Sequence, residues 1–138
     1  MIDTIQLNKI FKKCWSLESS SKWEEDSPWK GQCSVTALVV HDHFGGKILK
    51  TNIDGQWHFY NKVNNQVFDL TSEQFNKKIN YQNLESTVEE ALLDTSQKQY
   101  KYLKGQFAKH YLGASPKEMV TLIRPPVSIV NSSSKPKK

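Results

Sequence analysis

Arginine is nearly absent. Of the 19 basic residues in this 138-residue chain, Arg124 alone is an arginine. Surfaces that read bases or grip phosphates lean on arginine's planar fork, so a nucleic-acid partner is the weaker reading. Apolar runs are short as well. None approaches the roughly 18 residues that a membrane span needs, and no membrane association is expected. Met1-Ile2-Asp3-Thr4 opens with an acid rather than leading into an apolar targeting stretch, so the expected location is the cytoplasm. Two cysteines, Cys14 and Cys33, are too few for a disulfide framework. His41-x-His43 stands in an apolar stretch without a second ligand pair, so neither a metal nor another cofactor is expected.

What is present suffices for one core. Four Trp, six Phe and five Tyr within a 37% hydrophobic chain argue against global disorder. The charge is uneven. Residues 1–70 carry 8 Lys and 8 Asp/Glu, while residues 71–138 carry 11 Lys/Arg against 6 Asp/Glu and account for all of the +5. We expect one α+β domain over residues 1–124, then a basic, disordered tail over 125–138 that contains Lys135, Lys137 and Lys138.

Residues 4–17 place Ile5, Leu7, Ile10, Phe11, Cys14 and Leu17 at helical spacing. A loop rich in tryptophan and charge follows, from Lys22 to Lys30. The run from Gln32 to Val40 is apolar nearly all round, which marks a buried helix, and Phe44-Gly45-Gly46 stops it. Three consecutive strands are expected at Lys47–Ile53, Gln56–Val63 and Gln66–Leu70, turned by Asp54-Gly55 and Asn64-Asn65. Thr71 to Phe75 reads as a capped helical turn. Residues 84–112 read as helical, with Tyr100, Leu103, Phe107 and Tyr111 forming a core stripe, and 119–123 as a short last strand.

Three residues stand out against this background. Cys33 falls at the start of the buried helix, just after Gly31. Backbone N–H groups there lack helical partners and the macrodipole favours an anion, so the position suits a thiolate. The plainer reading is a small side chain filling the core. His58 lies mid-strand in Trp57-His58-Phe59-Tyr60, where a histidine is ordinarily a packed residue. Asp69, in Val67-Phe68-Asp69-Leu70, is an acid inside an apolar strand and needs a partner. A turn centred between Asn64 and Asn65 pairs residues whose numbers sum to 129. Asp69 then faces Tyr60 and becomes a diagonal neighbour of His58. A carboxylate there can fix the imidazole and leave its other nitrogen for a thiol. Gln32 offers an amide donor for an oxyanion beside the Cys33 N–H, and equally reads as an ordinary helix-start residue. Trp29 and Trp57 flank this proposed site, where either could wall it from water or pack in the core.

The blocks Gly31-Gln32-Cys33-Ser34-Val35-Thr36-Ala37-Leu38-Val39-Val40, Phe44-Gly45-Gly46-Lys47-Ile48-Leu49-Lys50-Thr51, Trp57-His58-Phe59-Tyr60-Asn61, Asp69-Leu70-Thr71 and Gln74-Phe75 resemble the YunG-like family of small bacterial proteins, over about residues 10–112. More loosely, the order helix-start Cys, strand His, next-strand Asp is similar to the papain-like and transglutaminase-like core. That likeness implies a buried helix on a small antiparallel sheet, and acyl transfer on a peptide or small amide or ester: peptidase, amidase, deamidase or transglutaminase chemistry. Two other readings stand beside it. One is a non-catalytic module that keeps the fold and binds a peptide or protein; the other is a basic interaction protein acting through its C-terminal half.

Overall fold

A computed structural model describes residues 1–112. The residues assigned above to a last strand (119–123) and a tail (125–138) lie outside the described part. Helix α1 spans Thr4–Cys14, with Asp3 capping it by accepting from the Gln6 N–H at 3.0 Å. Lys12 and Lys13 lie in its last turn, where cations complement the helix dipole. The helix stops three residues short of the expected end. Trp15 turns extended there and sends its indole N–H to Thr36 Oγ1, 2.8 Å away.

Thr36 belongs to α2, Cys33–Phe44, the central helix, which is buried continuously from Ser34 to Val40. Gly45 and Gly46 end it with φ of +74° and +76°. At Gly46 a Cβ would lie 2.2 Å from the Lys62 carbonyl oxygen, so no other residue fits between helix and sheet.

The sheet is antiparallel, in the order β3-β2-β1-β4, with β1 at Lys47–Ile53, β2 at Gln56–Val63, β3 at Gln66–Phe68 and β4 at Leu84–Glu85. Both hairpins turn on two residues of positive φ, Asp54-Gly55 and Asn64-Asn65, the mirror-image geometry that matches strand twist. The β2–β3 pairs Asn61↔Phe68, Lys62↔Val67 and Val63↔Gln66 follow the register expected from the sequence. The third strand ends at Phe68, however, two residues early. The chain breaks from the ladder there so that Asp69 can close on its own turn, described below.

Residues 84–112, expected to be helical, begin instead with a strand. Leu84-Glu85 pair with Leu49-Lys50 as β4. Helix α3, Val88–Leu93, and helix α4, Gln97–Phe107, follow, running into a π-helical turn at Ala108–Leu112. Thr87 and Ser96 each accept from the N–H three residues on, so two capping signals divide what hydrophobic spacing alone reads as one element.

The sheet is covered on both sides. Odd positions of β2 face α2: Phe59 packs with Ala37, Leu38, Ile48 and Ala91, and Asn61 donates to the Ala37 carbonyl at 3.0 Å. Even positions are covered by the 69–83 connection. Phe75 meets the His58 ring edge-on at 4.9 Å and Tyr81 meets Tyr60 at the same distance. The main core joins α1, α2 and α4. Phe107 stacks on Phe11 at 4.6 Å and on Tyr111 at 4.9 Å, as the 100–103–107–111 stripe requires.

Phe107 is wholly buried whereas Tyr111 is 40% exposed. Phe107→Ala should therefore cost about 3–5 kcal/mol, and Tyr111→Ala much less. Urea unfolding of the two variants measures the difference; equal losses would contradict the packing described.

Candidate active site

Asp69 makes a small hydrogen-bonded hub. One carboxylate oxygen, Oδ1, accepts from the Thr71 backbone N–H at 3.1 Å and from the Thr71 hydroxyl at 3.3 Å. The other, Oδ2, accepts from the Tyr81 hydroxyl at 2.7 Å and meets His58 Nε2 at 2.6 Å. The Asp-x-Thr turn is a local choice of the chain, since an aspartate readily bonds the backbone two residues on. It holds the carboxylate aimed at β2. The side chains of His58 and Asp69 are only 2% and 6% exposed.

Burial alone would pull the His58 pKa down. The hydrogen bond to Asp69, together with the nearby Cys33 side chain and the Asp69 charge, outweighs it and pushes the pKa up to about 9. His58 is thus an imidazolium at neutral pH. With Nε2 held by Asp69, Nδ1 is the nitrogen left for Cys33. It is buried and makes no regular hydrogen bond, so the thiol bears on the ring without being locked to it. The other histidine in a comparable environment behaves oppositely: burial pushes the His43 pKa down to about 4, and its ring packs edge-on to Phe107 at 4.6 Å.

Cys33 is the first residue of α2 and partly exposed. Gly31, two residues earlier, has φ +68°, and a Cβ there would lie 2.4 Å from Ser20 Oγ. The 20–22 loop therefore sits directly against the turn that carries the cysteine. Cys14 differs in every respect: it is 1% exposed, and burial pushes its pKa up to about 12.

Cys33 and His58 line one cleft of about 660 Å³, with Lys22, Trp57, Gln74 and Asp94 among its walls. Its place follows from the short third strand. Because β3 ends at Phe68, residues 56–60 of β2 have no partner on that side, and Gln56, Trp57, His58 and Phe59 all border the opening although they point to alternate faces. At this open edge the helix on one face and the imidazole on the other come together.

Of the four residues singled out from the sequence, Cys33, His58 and Asp69 are brought together. Gln32 is not: its side chain is wholly buried, borders no part of the cleft, and leaves both amide atoms without a hydrogen-bond partner. Trp57 borders the cleft, 43% exposed and with Lys50 Nζ 4.2 Å from its ring centre. Trp29 does not; it packs on the main core near Lys12. Asn61, spent on α2, takes no part in orienting the imidazole. Sequence reasoning missed Tyr81, a lone aromatic in a polar stretch without periodicity, and the anchoring role of Thr71, whose two-residue spacing from Asp69 was the available signal. Among the described residues no three His, Cys, Asp or Glu side chains converge as a metal site requires, and no helix is long and apolar enough to cross a membrane.

The fold and this cluster define a small α+β protein with a cysteine, an imidazole and a carboxylate gathered at the open edge of a four-stranded antiparallel sheet. The chain belongs to the YunG family, matching the YunG protein family over residues 3–112. It is similar to the Uncharacterized protein YunG of Bacillus subtilis (strain 168), 55% identical over 101 residues that make up 73% of this chain and 88% of that protein. No solved structure matches the chain.

The raised His58 pKa makes a stability claim with a definite sign. A group that binds its proton more tightly when folded stabilises fully below its unfolded pKa, 6.5, and loses that contribution as pH rises through about 9. The Tm gap between the native chain and His58→Gln should thus be widest near pH 6 and narrow towards about pH 9.5. Thermal melts across that range would show it. A gap independent of pH would mean His58 titrates as an ordinary imidazole.

Proposed function

We propose that this protein is a thiol-dependent acyl-transfer enzyme, with Cys33 as nucleophile, His58 as proton carrier and Asp69 as the residue that orients His58. The observation that supports it most is the buried 2.6 Å His58–Asp69 contact, whose imidazole borders the same cleft as a partly exposed cysteine at a helix start. Core packing gives no reason to bury a carboxylate and an imidazole beside an accessible thiol.

The chemistry then runs in two halves. The Cys33 sulfur, as thiolate, adds to an amide or ester carbonyl. The resulting oxyanion is met by the Cys33 N–H, which at the first position of α2 has no intrahelical acceptor. The carbon–nitrogen or carbon–oxygen bond breaks, and the imidazolium of His58 gives its proton to the departing amine or alcohol. A water or a second amine, deprotonated by the now neutral His58, attacks the acyl-thioester and releases Cys33. In this scheme Asp69 holds the ring through Nε2 throughout, and Thr71 and Tyr81 hold Asp69. The order of Cys, His and Asp along the chain, with the helix–sheet arrangement, is in keeping with a papain-like or transglutaminase-like core. A second reading draws on the exposure of Trp57 and Leu93 at the cleft: the same groove would hold a peptide without turning it over.

Thiol reactivity separates the two. Under the enzyme reading Cys33 is alkylated by iodoacetamide at neutral pH at least about tenfold faster than a free thiol, which is only a few per cent thiolate there. Cys14 stays unlabelled until the protein unfolds, and His58→Gln removes the Cys33 advantage. Site-resolved mass spectrometry provides the rates. A Cys33 no faster than free cysteine would leave the binding-module reading.

A further inference from the structure

The cysteine and the acid lie on separate segments, the 19–33 stretch leading into α2 and the 69–75 turn. Among the described residues one hydrogen bond joins these two segments, and it belongs to Gln74. Its side-chain Oε1 accepts from the Gly31 backbone N–H at 3.4 Å. Its Nε2 donates to the Thr71 carbonyl at 3.1 Å. Thr71 in turn donates twice to Asp69 Oδ1, Asp69 Oδ2 holds His58, and His58 lies beside Cys33, two residues from Gly31. Traced in order, Gly31, Gln74, Thr71, Asp69, His58 and Cys33 form a ring that Gln74 closes. Gln74 also lines the cleft, whereas the glutamine next to the cysteine in sequence does not.

We infer that Gln74 is a positioning residue: it sets the spacing between the Cys33 turn and the His58–Asp69 pair. Both of its contacts are to backbone groups, so it ties main chain to main chain rather than one pliable side chain to another. Gly31 makes this possible. Its positive φ disfavours any side chain, Ser20 Oγ leaves no room for one, and its N–H is free for Gln74 to take. Without the bridge, no hydrogen bond among the described residues ties the turn before Cys33 to the 69–75 segment. A displacement of about 1 Å in a reacting group can cost as much as a hundredfold in rate.

This inference rests on the thiol-enzyme reading, and the test keeps the two apart. Rates of Cys33 alkylation by iodoacetamide are measured across pH for the native chain, His58→Gln and Gln74→Met, which matches glutamine in length but forms neither bond. The expected result is a Cys33 rate at neutral pH lowered about tenfold or more in Gln74→Met. The pH profile should also shift towards that of His58→Gln, with the thermal midpoint little changed. A loss of stability alone would not move the pH profile. If Gln74→Met does not fold, Gln74→Asn, which keeps the amide but is one methylene too short to span both partners, is expected to show the same shift. A native profile in a folded Gln74 variant, with His58→Gln slowed, would overturn the role of Gln74 and leave the enzyme reading standing. A native Cys33 no faster than free cysteine would overturn both.

Discussion

A carboxylate in contact with an imidazole at the bottom of a small protein must be answered on every side. Leaving either member without its partner inside the fold costs roughly 3–5 kcal/mol. The surroundings of Asp69 are organised by that constraint. Its two oxygens receive three donors besides His58, all from the 69–83 connection. The last strand of the meander stops at Phe68 because the chain must leave the ladder to form the Asp69–Thr71 turn. The connection then runs back across the sheet, placing Phe75 on His58 and Tyr81 on both Tyr60 and Asp69. Much of what lies on that face follows from holding one ring in place.

The opposite face is governed by packing. Helix α2 is apolar around its circumference because α1, α3, α4 and the sheet surround it, and Asn61 and Trp15 reach it through single hydrogen bonds to Ala37 and Thr36. The cysteine sits where these two regimes meet. Its helix belongs to the packed side and the imidazole to the polar side, and they meet at the stretch of β2 that has no partner on the β3 side.

The hairpins and the central helix were legible in the sequence for local reasons. Asp54-Gly55 and Asn64-Asn65 demand positive φ, and once the second turn is placed the pairing of β2 with β3 as far as Phe68 is a matter of arithmetic; the expected Asp69–Tyr60 pairing does not form, and Asp69 reaches His58 by leaving that ladder. Gly45-Gly46 marked the helix end in the same way. What could not be read depends on contacts between distant segments. Leu84-Glu85 become a strand only because Leu49-Lys50 lie beside them. The burial of Gln32 and the half-buried place of Gln74 at the cleft depend on how the 19–31 loop folds over the helix start, and both residues are polar glutamines in ordinary positions. Tyr81 acquires its role from a connection with no repeating pattern at all.

The helix that begins at Cys33, both hairpins, the Asp69 turn and Gln74 all fall within residues 31–75, in unbroken chain order. Bringing those parts together closes only short loops, and the entropy lost in closure grows with the logarithm of loop length. In the order of folding events this segment is the inexpensive one, whereas α1 and α4, from opposite ends of the described chain, must find each other across it. Destabilising changes at the α1–α4 seam, around Phe11 and Phe107, would thus act chiefly on late closure of the core, while the His58–Asp69 pair and the helix start at Cys33 belong to the part of the chain that assembles from its own neighbours.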